Sequence, residues 1–218
     1  MGIEVGNDLK SGLDRVKEHG RAALPPTVFE VFEADMARAA DETKFAEAGV
    51  TIEDFTLPAA DGSAVSLGQL VADGPAVLVF YRGQWCPFCN LTLRAYQQEV
   101  VPELAKLGAT LAAISPQAAD GSLSTQEKNE LEFTVLSDVG NVVSRQLGLT
   151  FRISDAVREA MSSIGTDLGR VNGTGEWELA YPAVVVVDRD RTIRYVDVHP
   201  DYTTRTEPAQ ILEAVKSL

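Results

Sequence analysis

At 218 residues, with 45% hydrophobic and 23% charged side chains, the chain has the make-up of a globular protein, which excludes disordered and fibrous classes. Its 19 Lys and Arg stand against 32 Asp and Glu, and a net charge of −13 repels phosphate backbones, so nucleic acid is not an expected partner. No apolar run reaches the ~20 residues of a membrane helix, so no membrane association is expected.

Met1 to Gly20 alternates charged and apolar residues without the basic, apolar and small-residue segments of an export signal, which predicts a cytoplasmic protein. Residues 1–48 read as a wholly helical extension. Val5, Leu9, Leu13 and Val16 share one stripe. After Pro25-Pro26, Thr27 and Glu30 form a capping-box pattern ahead of a second apolar face, Val28, Phe32, Met36 and Ala40.

From residue 49 onward the pattern is that of a single α/β domain, 49–218. Phe55 and Leu57 answer Val65 and Leu67 across an Asp61-Gly62 turn, a hairpin. A buried strand over Ala76 to Tyr81, a helix opening at Cys86-Pro87-Phe88-Cys89 and a strand over Thr110 to Ser115 give a parallel crossover. Next come a helix capped by Ser124 with Glu127, a strand near Val135, and helices over Val139 to Leu147 and Ser154 to Ile164. Gly165 to Gly175 reads as a loop. The chain closes with strands Ala183 to Asp188 and Thr192 to Val198 around a charged turn, then a helix with Pro208 near its first position. The sheet is therefore mixed, with helices on both faces.

The two cysteines, three residues apart, cannot form the multi-bridge framework of a secreted domain, and in a reducing compartment such a pair has a chemical role. Pro87 suits the first turn of a helix, which makes Cys86 the N-cap and Cys89 the third helical residue. Free N–H groups and the helix dipole there favour thiolate. A pKa fall from about 8.5 to about 7 raises the thiolate fraction at neutral pH from about 3% to about half. One helical turn also brings the Cα atoms within disulfide reach. Trp85 and Phe88 flank the thiols, either as an apolar rim for a substrate or as ordinary core packing.

A zinc site needs four ligands, and His19 and His199 stand far from the pair. Haem attachment needs His where Asn90 stands. No metal and no cofactor is expected.

The segment Phe80-Tyr81-Arg82-Gly83-Gln84-Trp85-Cys86-Pro87-Phe88-Cys89-Asn90 resembles the active site of bacterial peroxiredoxin-like proteins of the alkyl hydroperoxide reductase and thiol-specific antioxidant family. Supporting segments are Phe55-Thr56-Leu57-Pro58, Gly108 to Gln117, Val135 to Gly140 and Tyr181-Pro182-Ala183, so the resemblance runs over about 49–218. It implies a thioredoxin-like fold and thiol-dependent reduction of hydrogen peroxide or organic hydroperoxides, with thioredoxin or a glutaredoxin as reductant.

The departures matter as much. Aligned without gaps on an ordinary peroxiredoxin, Arg82 takes the place of the motif Pro, Cys86 that of the Thr, and Cys89 that of the peroxidatic Cys. Pro182 stands where such proteins carry Arg, and resembles the cis-proline of thioredoxins; it also suits a strand start. Two mechanisms follow. In one, a thiolate attacks a peroxide and its neighbour closes the disulfide; registration nominates Cys89, exposure at the N-cap nominates Cys86, and the chemistry favours Cys86. In the other, Cys86 attacks a client disulfide and Cys89 resolves it, a thioredoxin-like oxidoreductase that the missing Thr and Arg favour, since those side chains would orient and polarise a peroxide. Arg82 is the candidate cation near the thiols, with Arg152 a weaker one. A third possibility is a binding or scaffold module with vestigial cysteines, a role the two N-terminal helices could serve; alternatively, those helices could cover a homodimer surface.

Overall fold

A computed structural model describes residues 8–41 and 44–218. Asp8 accepts the Ser11 N–H and starts α1, Leu9–Ala23, whose stripe Leu9, Leu13 and Val16 is buried; Val5 lies outside the described residues. α2, Pro26–Asp41, opens with Pro26 itself. Thr27 is thus inside the helix and does not cap it, since a proline one residue earlier already has the φ and the absent N–H that a first turn tolerates. Val28 is buried on this helix, whereas the side chains of Met36 and Ala40 lie outside what is described. Helix does not continue over residues 44–48, which run irregularly toward the domain.

The hairpin forms as expected, β1 Thr56–Pro58 pairing antiparallel with β2 Ala64–Ser66 in the register Leu57 to Val65. A Ser66/Gln69 capping box begins α3, Leu67–Leu70. Then come β3 Ala76–Phe80 and α4 Pro87–Ala95 with Cys86 as its N-cap. α4 runs through a π-helical turn, Tyr96–Val100, into α5 Val101–Lys106. Pro102 cannot donate to the carbonyl four residues back, and the helix widens just before it.

β4 Thr110–Ser115 leads to α6 Ala119–Asn129, which starts five residues before the expected cap; Ser124 sits inside it and donates its hydroxyl to the Asp120 carbonyl at 3.0 Å. β5 Thr134–Ser137 and α7 Val142–Gln146 follow. Two elements escape a period-based reading, β6 Thr150–Arg152 and β7 Glu178–Ala180, three-residue strands that pair with each other. Between them lie α8 Asp155–Ser163, capped by Ser154, and α9 Leu168–Val171. The latter corrects the loop expected over Gly165 to Gly175: Asp167 caps a short turn by accepting the Arg170 N–H at 3.2 Å. β8 Ala183–Val187, β9 Ile193–Val198 and α10 Pro208–Lys216 complete the chain.

The central sheet has the order β5-β4-β3-β8-β9, in which β3, β4, β5 and β9 run one way and β8 runs opposite to them. Its strands alternate between two cores. Val77, Val79 and Val184 pack with Leu91 and Tyr96 of the α4 side, whereas Leu78, Phe80 and Val185 pack with Leu57, Leu67 and Val143. α1 belongs to the first core. Its Gly12 is where the two helices touch, because a Cβ there would stand 3.0 Å from Leu91 Cδ2 of α4.

Register decides what shares an edge. Phe80 lies opposite Ile114 on one side and Ala183 on the other, and Ala183 lies opposite Val198. The chain therefore leaves β3, β4 and β9, and enters β8, at one end of the sheet.

Candidate active site

The loop from Arg82 to Cys86 sits at that end, where the carboxyl ends of parallel strands leave a crevice. Gly83 adopts φ +132°, and a Cβ there would lie 2.8 Å from Trp85 Nε1. The Gly83 carbonyl accepts the Cys86 N–H at 3.1 Å, and the Cys86 carbonyl accepts the Asn90 N–H at 3.1 Å, which opens the helix. Buried amides hold this turn from the side. Gln117, just past β4, accepts the Gln84 N–H at 2.8 Å and donates to the Tyr81 hydroxyl and to Thr125; Asn90 donates to the Gln84 carbonyl at 2.8 Å and accepts from Asn129.

Both cysteines are reduced and only 1% exposed. Arg82, 3% exposed, lies between two rings, its guanidinium carbon 4.7 Å from the Trp85 centroid and 4.3 Å from that of Tyr202. Phe88 meets Tyr202 edge to face at 5.6 Å. The sequence-derived choices Arg82, Trp85, Pro87, Cys86 and Cys89 are thus brought together.

A residue that sequence reasoning missed completes the site. Arg205 Nη2 donates to Cys89 Sγ at 3.2 Å. Arg205 comes from the loop after β9, and several bonds fix it. Its Nη1 donates to the carbonyls of Tyr202 and Thr204; Tyr96 donates its hydroxyl to the Thr206 carbonyl at 2.6 Å. His199, Asp197 and Thr206 close a hydrogen-bonded knot at the loop's base.

These groups set the thiols apart. Burial alone would raise the Cys89 pKa, but the hydrogen bond from Cys86, the Arg205 charge, the Arg82 backbone N–H and the Arg82 charge outweigh it and hold Cys89 well below the ordinary thiol range. Burial, then the hydrogen bond to and charge of Cys89, push Cys86 well above that range despite both arginines. The two shifts run in opposite directions, so Cys89 is the more acidic thiol of the pair.

Residues 48–196 match the AhpC/TSA family. The chain belongs to that family. It is 30% identical over 101 residues to a putative peroxiredoxin of Mycobacterium tuberculosis, covering 46% of this chain and 65% of that protein. It is 34% identical over 101 residues to the chloroplastic peroxiredoxin Q of Oryza sativa subsp. japonica, covering 46% of each. The chain thus spans less than two thirds of the length of these relatives. The crystal structure of peroxidoxin BcpB from Mycobacterium tuberculosis superposes with a TM-score of 0.62 at 22% identity, over 79% of this chain and 98% of that one, which establishes the thioredoxin-like fold.

Two expectations from the sequence need correction. No peptide bond among the described residues is cis, so Pro182 is not a cis-proline; it precedes β8, where its carbonyl accepts the His199 N–H at 2.8 Å, and serves to start a strand. Arg152 ends β6, is exposed and faces Glu176 at 3.6 Å. The cation beside the thiolate comes from Arg205. Nothing in His199-Pro200-Asp201-Tyr202-Thr203-Thr204-Arg205 marks that role; only the strand register, which returns this loop to the dithiol, could have found it. No helix among the described residues is long and apolar enough to cross a membrane.

Proposed function

We propose that this chain is a thiol peroxidase that reduces hydroperoxides through a Cys86/Cys89 dithiol–disulfide cycle and is re-reduced in the cytoplasm by thioredoxin or a similar dithiol protein. The observation that carries the reading is the guanidinium of Arg205, 3.2 Å from a Cys89 sulfur almost sealed from water.

The Cys89 thiolate attacks the terminal oxygen of the hydroperoxide. The O–O bond breaks, an S–O bond forms, and the departing alkoxide or hydroxide takes the proton of the Cys86 thiol. Arg205 and Arg82 stand where negative charge moves from sulfur to oxygen. The new Cys86 thiolate attacks the Cys89 sulfenic sulfur, hydroxide leaves and takes a proton from solvent, and the disulfide closes. Per turnover, two thiols and ROOH give a disulfide, ROH and water.

The thioredoxin-like reading rested on the missing active-site Thr and Arg, and the guanidinium of Arg205 beside Cys89, a cation that can polarise a peroxide, supports the peroxidase reading instead. Rapid mixing of reduced protein with hydrogen peroxide and an organic hydroperoxide tests the proposal. We expect rates far above free cysteine, and loss of turnover with a thioredoxin system in Cys86→Ser and in Cys89→Ser. Rates no faster than free cysteine contradict it.

A further inference from the structure

The dithiol is roofed by the N-terminal helices. Asp35 of α2, buried, accepts the Ser154 N–H at the start of α8 at 3.3 Å and pairs with Arg38 at 3.1 Å, while Tyr181 donates its hydroxyl to the Ala39 carbonyl at 2.8 Å. These bonds fix α2 over the site, as Gly12 fixes α1. Between roof and dithiol lies a cavity of about 150 Å³. Val16, Gly20, Phe29 and Phe32 line it from above, and Arg82 and Cys86 from below. All four roof residues fall outside the span 48–196 that matches the family, so the helical extension closes a cavity whose other walls belong to the family domain.

Its chemistry is two-faced. The walls are mostly apolar, yet the buried Nε of Arg82 and Nε1 of Trp85, both residues lining the cavity, have no hydrogen-bond partner among the described residues. A ligand that suits such a space has a compact carbon group and one oxygen-bearing end. An apolar cavity of ~150 Å³ stays dry and takes up a molecule the size of benzene.

We propose that this cavity binds the carbon substituent of an organic hydroperoxide, a single ring or a branched alkyl group of similar bulk, and that α1 and α2 thereby set a preference for such substrates over hydrogen peroxide. The inference rests on the thiol-peroxidase reading. The carbon group lies on the apolar walls, an oxygen of the substrate accepts from Arg82, and the hydroperoxide group reaches Cys86, which lines the cavity and hydrogen-bonds to Cys89. Cys89 takes the terminal oxygen, the O–O bond breaks, and the alkoxide leaves as an alcohol with the Cys86 proton. Hydrogen peroxide undergoes the same step without any contact to the roof.

The test is stopped-flow reduction of cumene hydroperoxide and of hydrogen peroxide by the full-length reduced protein, wild type, Gly20→Leu and Phe29→Ala. A Cβ at position 20 would stand 3.2 Å from Phe29 Cζ, so bulk there enters the cavity wall, and leucine suits a helix better than glycine does. We expect kcat/KM for cumene hydroperoxide to exceed that for hydrogen peroxide by about 10-fold or more, Gly20→Leu to cut that ratio by about 10-fold, and Phe29→Ala to move the preference toward a two-ring hydroperoxide. Cumyl alcohol, the unreactive product, should perturb the fluorescence of wild-type Trp85 and bind more weakly to Gly20→Leu. Consumption of both peroxides at a ratio that neither variant changes, with no cumyl alcohol binding, overturns the inference and leaves the peroxidase reading standing. Slow reaction with both peroxides overturns that reading, and cumyl alcohol binding then still reports on the cavity. Insulin-disulfide reduction that Gly20→Leu slows, with the peroxide ratio unmoved, assigns the cavity to a peptide side chain and overturns the inference as well.

Discussion

Cys86 and Cys89 are one helical turn apart and equally buried, yet their surroundings are opposite in character. Cys86 borders a cavity with apolar walls made by α1 and α2. Cys89 faces a guanidinium held on a polar loop from the far end of the chain. The N-cap position, which from sequence alone favours Cys86 as nucleophile, loses to a placed charge. A unit charge 3.2 Å from the sulfur attracts a thiolate by roughly 5 kcal/mol at an effective dielectric of about 20, where a helix terminus adds about 0.3–2. Burial acts on both thiols alike, so it cannot choose between them; the hydrogen bond from Cys86 and the Arg205 guanidinium that touches Cys89 favour charge on Cys89.

That contrast can be broken on either side. The largest expected effect comes from Arg205→Gln. Removing that charge raises the Cys89 pKa, although the Cys86 hydrogen bond and Arg82 still lower it, and it also takes a cation from the oxygen that becomes negative as the O–O bond breaks; we expect a loss of roughly 10-fold or more in the peroxide rate constant. The sign in pH follows from the lowered Cys89 pKa. Wild-type rates should stay level as pH falls through the ordinary thiol range and drop only when the thiolate is finally protonated in acid; the variant should lose rate with a midpoint at higher pH than wild type.

Gly83→Ala disturbs both thiols together, because the loop that ends in Cys86 needs φ +132° and has a Trp85 atom 2.8 Å from the new methyl. We expect a loss of about 2–3 kcal/mol in denaturant unfolding. Asp35→Ala loosens the roof on the Cys86 side alone by removing the acceptor for Ser154 and Arg38. A cost of about 1–3 kcal/mol in stability, with faster alkylation of Cys86 by a bulky maleimide, would sharpen the contrast; unchanged access would weaken it. The smallest change is Tyr96→Phe, which leaves the Thr206 carbonyl without its 2.6 Å donor beneath the Arg205 loop. About 1 kcal/mol in thermal unfolding is expected, with a modest upward move of the pH midpoint for peroxide reaction.

Much of this was legible in the residues. The hairpin, the strands from Ala76, Thr110 and Ala183, and the Cys86 cap with Pro87 behind it all follow from alternation, local turn chemistry and the fixed φ of proline. What was not legible depends on long-range register. β6 and β7 are three residues each, too short to show a period, and exist only because they pair with each other. Arg205 lies 116 residues from Cys89, and its role arises because β9, β8 and β3 align their ends. The burial of Cys86 under helices from the start of the chain likewise could not be read from the CPFC segment, which alone predicts an exposed N-cap.

We propose that Cys89 is the sulfur that meets the peroxide. Single-turnover mixing of Cys86→Ser and Cys89→Ser with one equivalent of cumene hydroperoxide, followed by dimedone trapping and mass spectrometry, tests it directly. The account predicts fast peroxide loss and a trapped sulfenic acid on Cys89 in the Cys86→Ser protein, and no reaction above that of free cysteine in Cys89→Ser. Fast reaction of Cys89→Ser with the sulfenic acid on Cys86 would contradict it.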